Sequence, residues 1–342
     1  MKRSVVLVLL ALGLVAGCAP ASGAASTGPA ALRLGYFPNV THAVPIVGLD
    51  QSFYANALGD RASLTTATFN TGSEAIEALF SGAIDATYIG PNPAINAFAR
   101  SEGKAIRIIG GATSGGASLV VRSGIGGADD LAGAKLASPS LGNTQDVALR
   151  AWLADQGYTT DLEGGGDVSV LPQENGLTLD AFIAGQIDGA WVPEPWATRL
   201  VQQGGGHVLV DERDLWPDGR FVTTHLIVST TFLEAHPTVV KALLEGHVSA
   251  IDYLSENGTD AQAIVAAAIE ELTGAKLPAG TLAAAWASLT FTADPIAESL
   301  KTSARRAEAQ DLLKPVDLAG IYDLDLLNEV LVASGDAPIE TK

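Results

Sequence analysis

Apolar positions along this chain fall into two alternating rhythms. Short runs rich in β-branched and aromatic residues occupy 32–36, 64–69, 86–89, 106–112 and 118–121. Between them, at 42–57, 73–81 and 93–100, apolar residues recur every three to four positions. The first rhythm predicts strands and the second helices. The alternation resumes with strand-like runs at 135–137, 168–171, 190–192, 208–210 and 222–229, and helical runs at 144–156, 177–184 and 196–203. Beyond residue 231, Ala, Leu and Glu dominate without a strand period, which predicts several helices to the end. Strands alternating with helices predict an α/β fold with mainly parallel sheets and flanking helices.

One apolar run stands outside this scheme. Residues 5–15 are unbroken apolar, follow Lys2 and Arg3, and lead through Ala16 and Gly17 to Cys18. That order is a secretory signal, and the run is shorter than the roughly 20 residues a membrane span needs. Residues 14–18, LVAGC, resemble the lipobox of bacterial lipoproteins. The expectation is a signal peptide at 1–17, then a lipidated Cys18 and a flexible tether at 18–30, whose APASGAASTGPA stretch is small, polar and proline-punctuated. The protein is then extracytoplasmic and lipid-anchored, on several acyl chains, since one anchors only marginally.

An internal repeat carries the domain organisation. ALFSGAIDATYI at 78–89 aligns without gaps to AFIAGQIDGAWV at 181–192, and Pro91-Asn92-Pro93 corresponds to Pro193-Glu194-Pro195 after a one-residue shift. Each copy reads as a helix, a glycine suited to a left-handed cap, an Ile-Asp turn, a buried strand and a proline exit. A spacing of 103 residues, from 78 to 181, is too long for a solenoid and predicts two similar lobes. Ligands of open α/β sheets bind beyond the carboxyl ends of the strands, so two facing lobes would enclose a cleft.

Composition narrows the partners. The formal charge is −18, and removing Lys2 and Arg3 with the leader gives −20. So acidic a chain is a poor partner for nucleic acid. Cys18 is the only cysteine, so a lipidated chain has no disulfide, and a body of about 310 residues can bury cores without one. No Gly-x-Ser-x-Gly elbow or P-loop is present, and the five histidines lack zinc-type spacing. No catalytic set, metal or cofactor is expected.

The lipobox, Gly35-Tyr36-Phe37-Pro38-Asn39, the helix–Ser-Gly-Ala-Ile-Asp–strand unit and Trp191-Val192-Pro193-Glu194-Pro195-Trp196 together resemble the periplasmic-type binding proteins of ABC importers, on the branch for aliphatic sulfonates, taurine and nitrate. The resemblance covers about residues 32–254. It implies a two-lobed periplasmic-binding-protein-like fold that closes on a small organic anion and hands it to a membrane permease, working as a monomer. Lobe one would hold 31–119 and 227–342, and lobe two 120–226, with crossovers at 117–122 and 222–229. Nitrate, bicarbonate or a thiamine pyrimidine precursor are alternative cargoes. An enzyme on the same fold, or a structural lipoprotein, are rival readings that the leader and the facing lobes respectively disfavour.

Candidate contacts sit where strands meet helices. Asn39, Thr41 and His42 precede the first helix, where free amides favour an anion, although Thr41 also suits a plain cap. Thr71 and Gly72 lead into the second helix, and Gly90 and Asn92 follow the third strand, Asn92 being equally a turn former. Ser138, Gly142, Asn143 and Thr144 form the preferred anion-facing loop of lobe two. Trp196 would offer a ring face to ligand carbons. Glu194 would accept from a ligand amine or hydroxyl, or simply be solvated. Thr224 and His225 would close the site from behind. No Lys or Arg falls among these positions, so neutral donors and helix N-termini would hold the anion.

Overall fold

The structure, a computed structural model, describes residues 30–341, so the leader, Cys18 and the tether to Pro29 lie outside the described residues. The chain begins with β1 (Ala30–Tyr36), then α1 (Ala43–Asp50) and α2 (Phe53–Leu58), β2 (Ala62–Thr68), α3 (Gly72–Phe80), β3 (Ala86–Ile89), α4 (Pro91–Arg100) and β4 (Ile106–Gly115). The helix predicted over 42–57 is two helices. Ser52, in the left-handed region at φ 58°, breaks it and folds α2 back.

The second unit runs through β5 (Ala117–Val121), β6 (Lys135–Ser138), α5 (Thr144–Asp155), β7 (Ser169–Pro172), α6 (Asn175–Ile183), β8 (Gly189–Pro193), α7 (Trp196–Gln202) and β9 (His207–Asp211). The chain returns through β10 (Val222–Ser229) into α8 (Thr230–Ala235), α9 (Pro237–Glu256), α10 (Gly258–Thr273), α11 (Thr281–Trp286), β11 (Leu289–Phe291), α12 (Ala297–Ala309) and α13 (Asp325–Ser334). No helix among the described residues is long and apolar enough to cross a membrane.

Two sheets result, ordered β11-β4-β10-β3-β1-β2 and β7-β6-β8-β5-β9. In the first, β1 to β4 share one direction and β10 and β11 oppose it. In the second, only β5 opposes the rest. Each sheet is thus mainly parallel, with a crossover strand running backwards, β10 inside the first sheet and β5 beside the edge strand β9 of the second. Apolar clusters cover both faces of both sheets, so the four cores are built from two sheets and their helices.

The sheets change hands at Gly115 and Gly116 on the way out, and within 212–221 on the way back. Residues 117–122 and 222–229 are therefore not the crossings. All of β5 pairs in the second sheet and all of β10 in the first, so residues 117–119 and 222–226 fall on the other side of the expected boundaries. Each crossover segment becomes a paired strand at once, because an extended backbone between two sheets has ladder partners only within them.

The internal repeat has a common structural role. Gly82 and Gly185 cap their helices at φ 70° and 73°. Asp85 and Asp188 then clamp their lobes' first parallel strands, at the middle of β1 and the start of β6. Asp85 accepts from the Arg33 amide at 2.9 Å, and Asp188 from the Lys135 amide at 2.8 Å. The strands that follow, β3 and β8, are fully buried and bring the Pro-x-Pro exits to the inter-lobe face.

The tail differs from the sequence expectation in two ways. It contains a strand, β11, which extends the β4 edge at Thr113–Gly115, and three residues are too few for a period-2 pattern to show. It also does not serve lobe one alone. Its apolar residues pack into lobe-one cores, while α11 packs on α7, α12 on α5, and the Arg306 guanidinium lies 4.4 Å over the Trp216 ring.

Candidate functional site

Four helices start at one cavity between the lobes. Asn70, Thr71 and Gly72 open α3, and Gly90 precedes α4. Asn143, Thr144 and Gln145 open α5, and Asn175 opens α6. Phe37, Asn39, Thr41 and His42 from the end of β1, and Thr223 and Thr224 from β10, complete the wall with Pro93, Pro139 and Pro193. Sheet topology explains the convergence. Each helix follows a parallel strand, so its N-terminus sits at the carboxyl edge of its sheet, and the two carboxyl edges face one another. First-turn amides have no carbonyl a turn earlier to bond, and they carry the positive end of the helix dipole.

The caps leave these amides well placed. Asn143 Oδ1 accepts from the Asp146 amide at 3.2 Å, which leaves the amides of Thr144 and Gln145, the first two of α5, without an intrahelical acceptor. Thr71 and Glu74 form a capping box on α3, in which Glu74 Oε2 accepts from the amides of Thr71 and Asn70 at 3.2 and 3.1 Å. Asp146, fully buried, braces the lobe-two loop from below. It accepts from Ser138 Oγ at 2.6 Å, the Gly142 amide at 2.9 Å and Arg150 Nε at 3.1 Å.

Among the described residues, no Lys, Arg, Asp or Glu lines the cavity. Its one titratable side chain, His42, has its pKa lowered to about 3 by burial, and is neutral at pH 7. His42 Nδ1 accepts from the Phe37 amide at 3.3 Å and its ring stacks on Phe37, which places its proton on Nε2 as a donor. Thr113 Oγ1 on β4 and Thr224 Oγ1 on β10 both donate to the Thr41 carbonyl, at 2.7 and 3.0 Å, and fix the segment after β1 against both strands.

The lobes are shut over this space. Trp196 Nε1 donates to Asn39 Oδ1 at 3.0 Å and Asn96 Nδ2 to the Gly142 carbonyl at 3.4 Å, each across the cleft. A Cβ on Gly90 would lie 2.4 Å from Thr144 Oγ1, so only glycine lets the lobes approach this closely. The space left between them is about 40 Å³, room for roughly three water molecules.

Nine of the fifteen residues expected at the site line the cavity: Asn39, Thr41, His42, Thr71, Gly72, Gly90, Asn143, Thr144 and Thr224. Six do not. Glu194 folds back to cap α7, accepting from the Thr198 amide at 3.1 Å and Thr198 Oγ1 at 3.0 Å, and burial pushes its pKa up to about 7. Trp196 serves as the inter-lobe donor just described, and its ring carries the Arg199 guanidinium at 4.5 Å. His225 is buried behind β10 with Nε2 3.0 Å from the Pro295 carbonyl, its pKa lowered to about 4 mainly by burial. Asn92 turns toward α12, with Nδ2 3.5 Å from the Ser303 carbonyl. Ser138 and Gly142 are held by Asp146, the first beneath the loop and the second toward a neighbouring hollow.

The proline exits do reach the cavity, but through Pro93 and Pro193 rather than the residues between the prolines. Phe37, Asn70, Pro139, Gln145, Asn175 and Thr223 were not singled out by sequence. Asn175 carried a readable signal, since it follows a strand at a helix start as Thr144 does. Among the described residues, no group of three or more His, Cys, Asp or Glu side chains could hold a metal ion.

Known proteins share this architecture. The taurine-binding periplasmic protein of Escherichia coli strain K12 is 27% identical over 182 residues, 53% of this chain and 54% of that protein. The chain thus spans about half the length of this curated relative. The alkanesulfonate-binding protein SsuA from Xanthomonas axonopodis pv. citri, solved bound to MOPS, superposes with a TM-score of 0.69 at 21% identity, covering 85% of this chain and 96% of that one. The nitrate-binding protein NrtA from Synechocystis PCC 6803 superposes with a TM-score of 0.72 at 16% identity, covering 89% of each. These likenesses establish the two-lobed periplasmic-binding-protein fold. The NMT1-like family model matches residues 25–270, which hold every strand of both sheets except β11 and all the residues lining the cavity, and the chain belongs to that family.

Proposed function

We propose that this protein is the solute-binding receptor of an ABC importer, and that it captures a small organic anion, foremost an aliphatic sulfonate or taurine, between its lobes. The observation that carries this reading is the convergence of four helix N-termini on one inter-lobe cavity that no charged side chain of the described residues lines. Helix-start amides bind anions unaided, and a sulfonate offers three oxygens to several such donors while keeping its charge at any physiological pH. The names of the taurine- and alkanesulfonate-binding relatives support the same cargo class. The chain works by binding, not by catalysis. It does so outside the cytoplasm, as a monomer tethered through lipid on Cys18, and delivers its cargo to a membrane permease.

A compact planar anion, nitrate or bicarbonate, is the second reading. The small volume of the cavity favours it, and the nitrate-binding neighbour supports it.

A thermal-shift panel tests both. Ligand that binds only the folded state stabilises it by RT ln(1 + [L]/Kd), about 2.7 kcal/mol at a hundredfold excess over Kd. Taurine, alkanesulfonates, nitrate, bicarbonate and a pyrimidine precursor are the arms. A rise in Tm with a sulfonate is expected. A rise only with nitrate or bicarbonate selects the second reading, and turnover of any member with no shift would overturn the receptor.

A further inference from the structure

The helix-start amides around the cavity act at short range, because the charge of a helix end fades within its first turn. The chain that surrounds them carries a formal charge of −18, and a field of that sign slows the approach of an anion. Arg199 and Lys314 both stand near the cleft without an ion pair among the described residues. Lys314 is exposed, in the wall of a hollow that adjoins the cavity, with Asp311 in the same wall. Arg199 is placed differently. It follows Trp196 by three positions on α7 and so shares its helix face, and its guanidinium lies 4.5 Å from the centre of the Trp196 ring. One edge of that ring donates across the cleft to Asn39. Another comes against Gly176, the neighbour of cavity-lining Asn175, where a Cβ would be 3.9 Å from Trp196 Cη2. Arg199 Nε is buried without a hydrogen-bond partner, and Asp180 of α6 acts on the guanidinium only from beyond ion-pair distance. A buried donor left without an acceptor is unfavourable. The ring holds the group in place all the same, and a guanidinium stays charged at any physiological pH. A full positive charge is therefore fixed at the seam between the lobes.

We infer that Arg199 draws the solute to the cleft past Trp196 and selects by net charge, favouring anions over zwitterions and neutral solutes. The inference rests on the receptor reading above and adds a residue that acts on approach rather than in the closed site. Arg199 does not line the cavity, so it sets the association rate. Dissociation is left to the helix-start amides and to the Trp196–Asn39 bond that shuts the lobes. Of the two cations, Arg199 is the partly buried one, and a charge in that position is screened less by salt than an exposed lysine.

Stopped-flow tryptophan fluorescence of the purified full-length chain tests this, with nitrate, methanesulfonate and taurine as probes and binding of each first established by calorimetry. Arg199→Gln should lower the association rate constants of nitrate and methanesulfonate roughly twofold to fivefold at low salt, the effect of one charge about 9 Å from the path. At about 0.5 M salt, where screening acts within roughly 4 Å, the loss should shrink below about 1.3-fold. Taurine carries no net charge and should associate at the parent rate, within about 1.3-fold, at either salt. Arg199→Lys should restore most of the loss, and Lys314→Gln should leave all three rates unchanged. If Arg199→Gln and Arg199→Lys speed dissociation equally and spare association, Arg199 only braces Trp196 and the proposal is overturned. It is overturned also if Lys314→Gln, and not Arg199→Gln, carries the salt-sensitive loss, or if taurine alone binds. Anions that bind at rates indifferent to Arg199 would leave the receptor standing without this device. If none of the three binds, the receptor reading falls and takes the proposal with it.

Discussion

Lobe one offers the cavity the start of α3 behind Thr71, and lobe two offers the start of α5 behind Asn143. The two loops deliver the same chemistry, amides at a helix N-terminus, by different means. In lobe one the loop is held by a capping box whose acid, Glu74, is exposed to solvent. In lobe two it is held by Asp146, wholly buried and paired with the equally buried Arg150, which also donates to the Asp161 carbonyl at 2.7 Å. A capped loop is cheap to form and easily shifted. A loop fastened to a buried ion pair is fixed before ligand arrives, because a half-paired buried charge is strongly unfavourable. Lobe two therefore supplies the rigid half of the site, and lobe one the half that adapts as the lobes close.

The comparison breaks first at Asp146. Asp146→Ala removes three accepted hydrogen bonds and leaves Arg150 uncompensated, and should cost about 3–5 kcal/mol of unfolding free energy. Glu74→Ala should cost about 0.5–1 kcal/mol, the range for a solvent-exposed cap. Urea denaturation of the two variants reads both values. Equal losses would mean that the loops are braced alike.

The lobes also differ in what they bury that titrates. Lobe one holds His42, His225 and His247, with pKa values lowered by burial to about 3, 4 and 4. Lobe two holds Glu194 and Glu212, raised by burial to about 7. Between about pH 4 and 6.5 the unfolded chain binds protons that the native histidines refuse, so lobe one loses stability as pH falls through that window. Between pH 4.5 and 7 the native glutamates hold protons that the unfolded chain has released, so lobe two loses stability as pH rises. Native-state hydrogen exchange at pH 5 and 7, corrected for intrinsic rates, should show protection rising with pH in β1 and β3 and falling in β5 and β8. Glu212, which accepts from Trp191 Nε1 at 2.7 Å and Trp216 Nε1 at 3.3 Å, should carry much of the second trend. Glu212→Gln should flatten it, and a slope unchanged in that variant would assign the trend elsewhere.

A smaller effect is expected at the seam. The Trp196–Asn39 hydrogen bond joins the lobes, so it stabilises the closed state and not either lobe alone. Trp196→Phe should weaken binding roughly threefold to tenfold, through faster dissociation, and leave the unliganded Tm nearly unchanged. A large fall in that Tm would make Trp196 part of a core.

What was legible in the sequence follows from which features are set by backbone. The repeat could be read because Gly82 and Gly185 answer a left-handed cap and the prolines answer a strand exit, and those demands are local. The α/β alternation was legible for the same reason. The side chains between the prolines were not, because Asn92 and Glu194 choose direction by partners far along the chain or one turn ahead: Ser303 for the first, Thr198 for the second. His225 was placed on the correct strand but the wrong face, since a strand buried on both sides gives no alternation to read. The tail's bridging role was invisible, because packing of α12 on α5 depends on the crossing of two lobes and not on any periodicity in α12.

The smallest expected effect is the absence of one. Lobe one's adaptable half contains His42, among the described residues the only titratable side chain on the cavity wall. A charged His42 would make anion binding strengthen as pH falls through 6.5. Burial instead holds its pKa near 3, and the Phe37 amide occupies Nδ1. Binding an anion would favour the imidazolium and raise that pKa, but a shift of about three units, roughly 4 kcal/mol, would be needed to bring titration to pH 6. The affinity for a sulfonate, which keeps its charge throughout, should therefore stay constant within about twofold from pH 5.5 to 8. Calorimetric Kd values across that range check it. A tenfold tightening toward pH 5.5 would show that His42 takes a proton with the ligand, and would move the electrostatic weight of the site from the helix N-termini of both lobes to one side chain of lobe one.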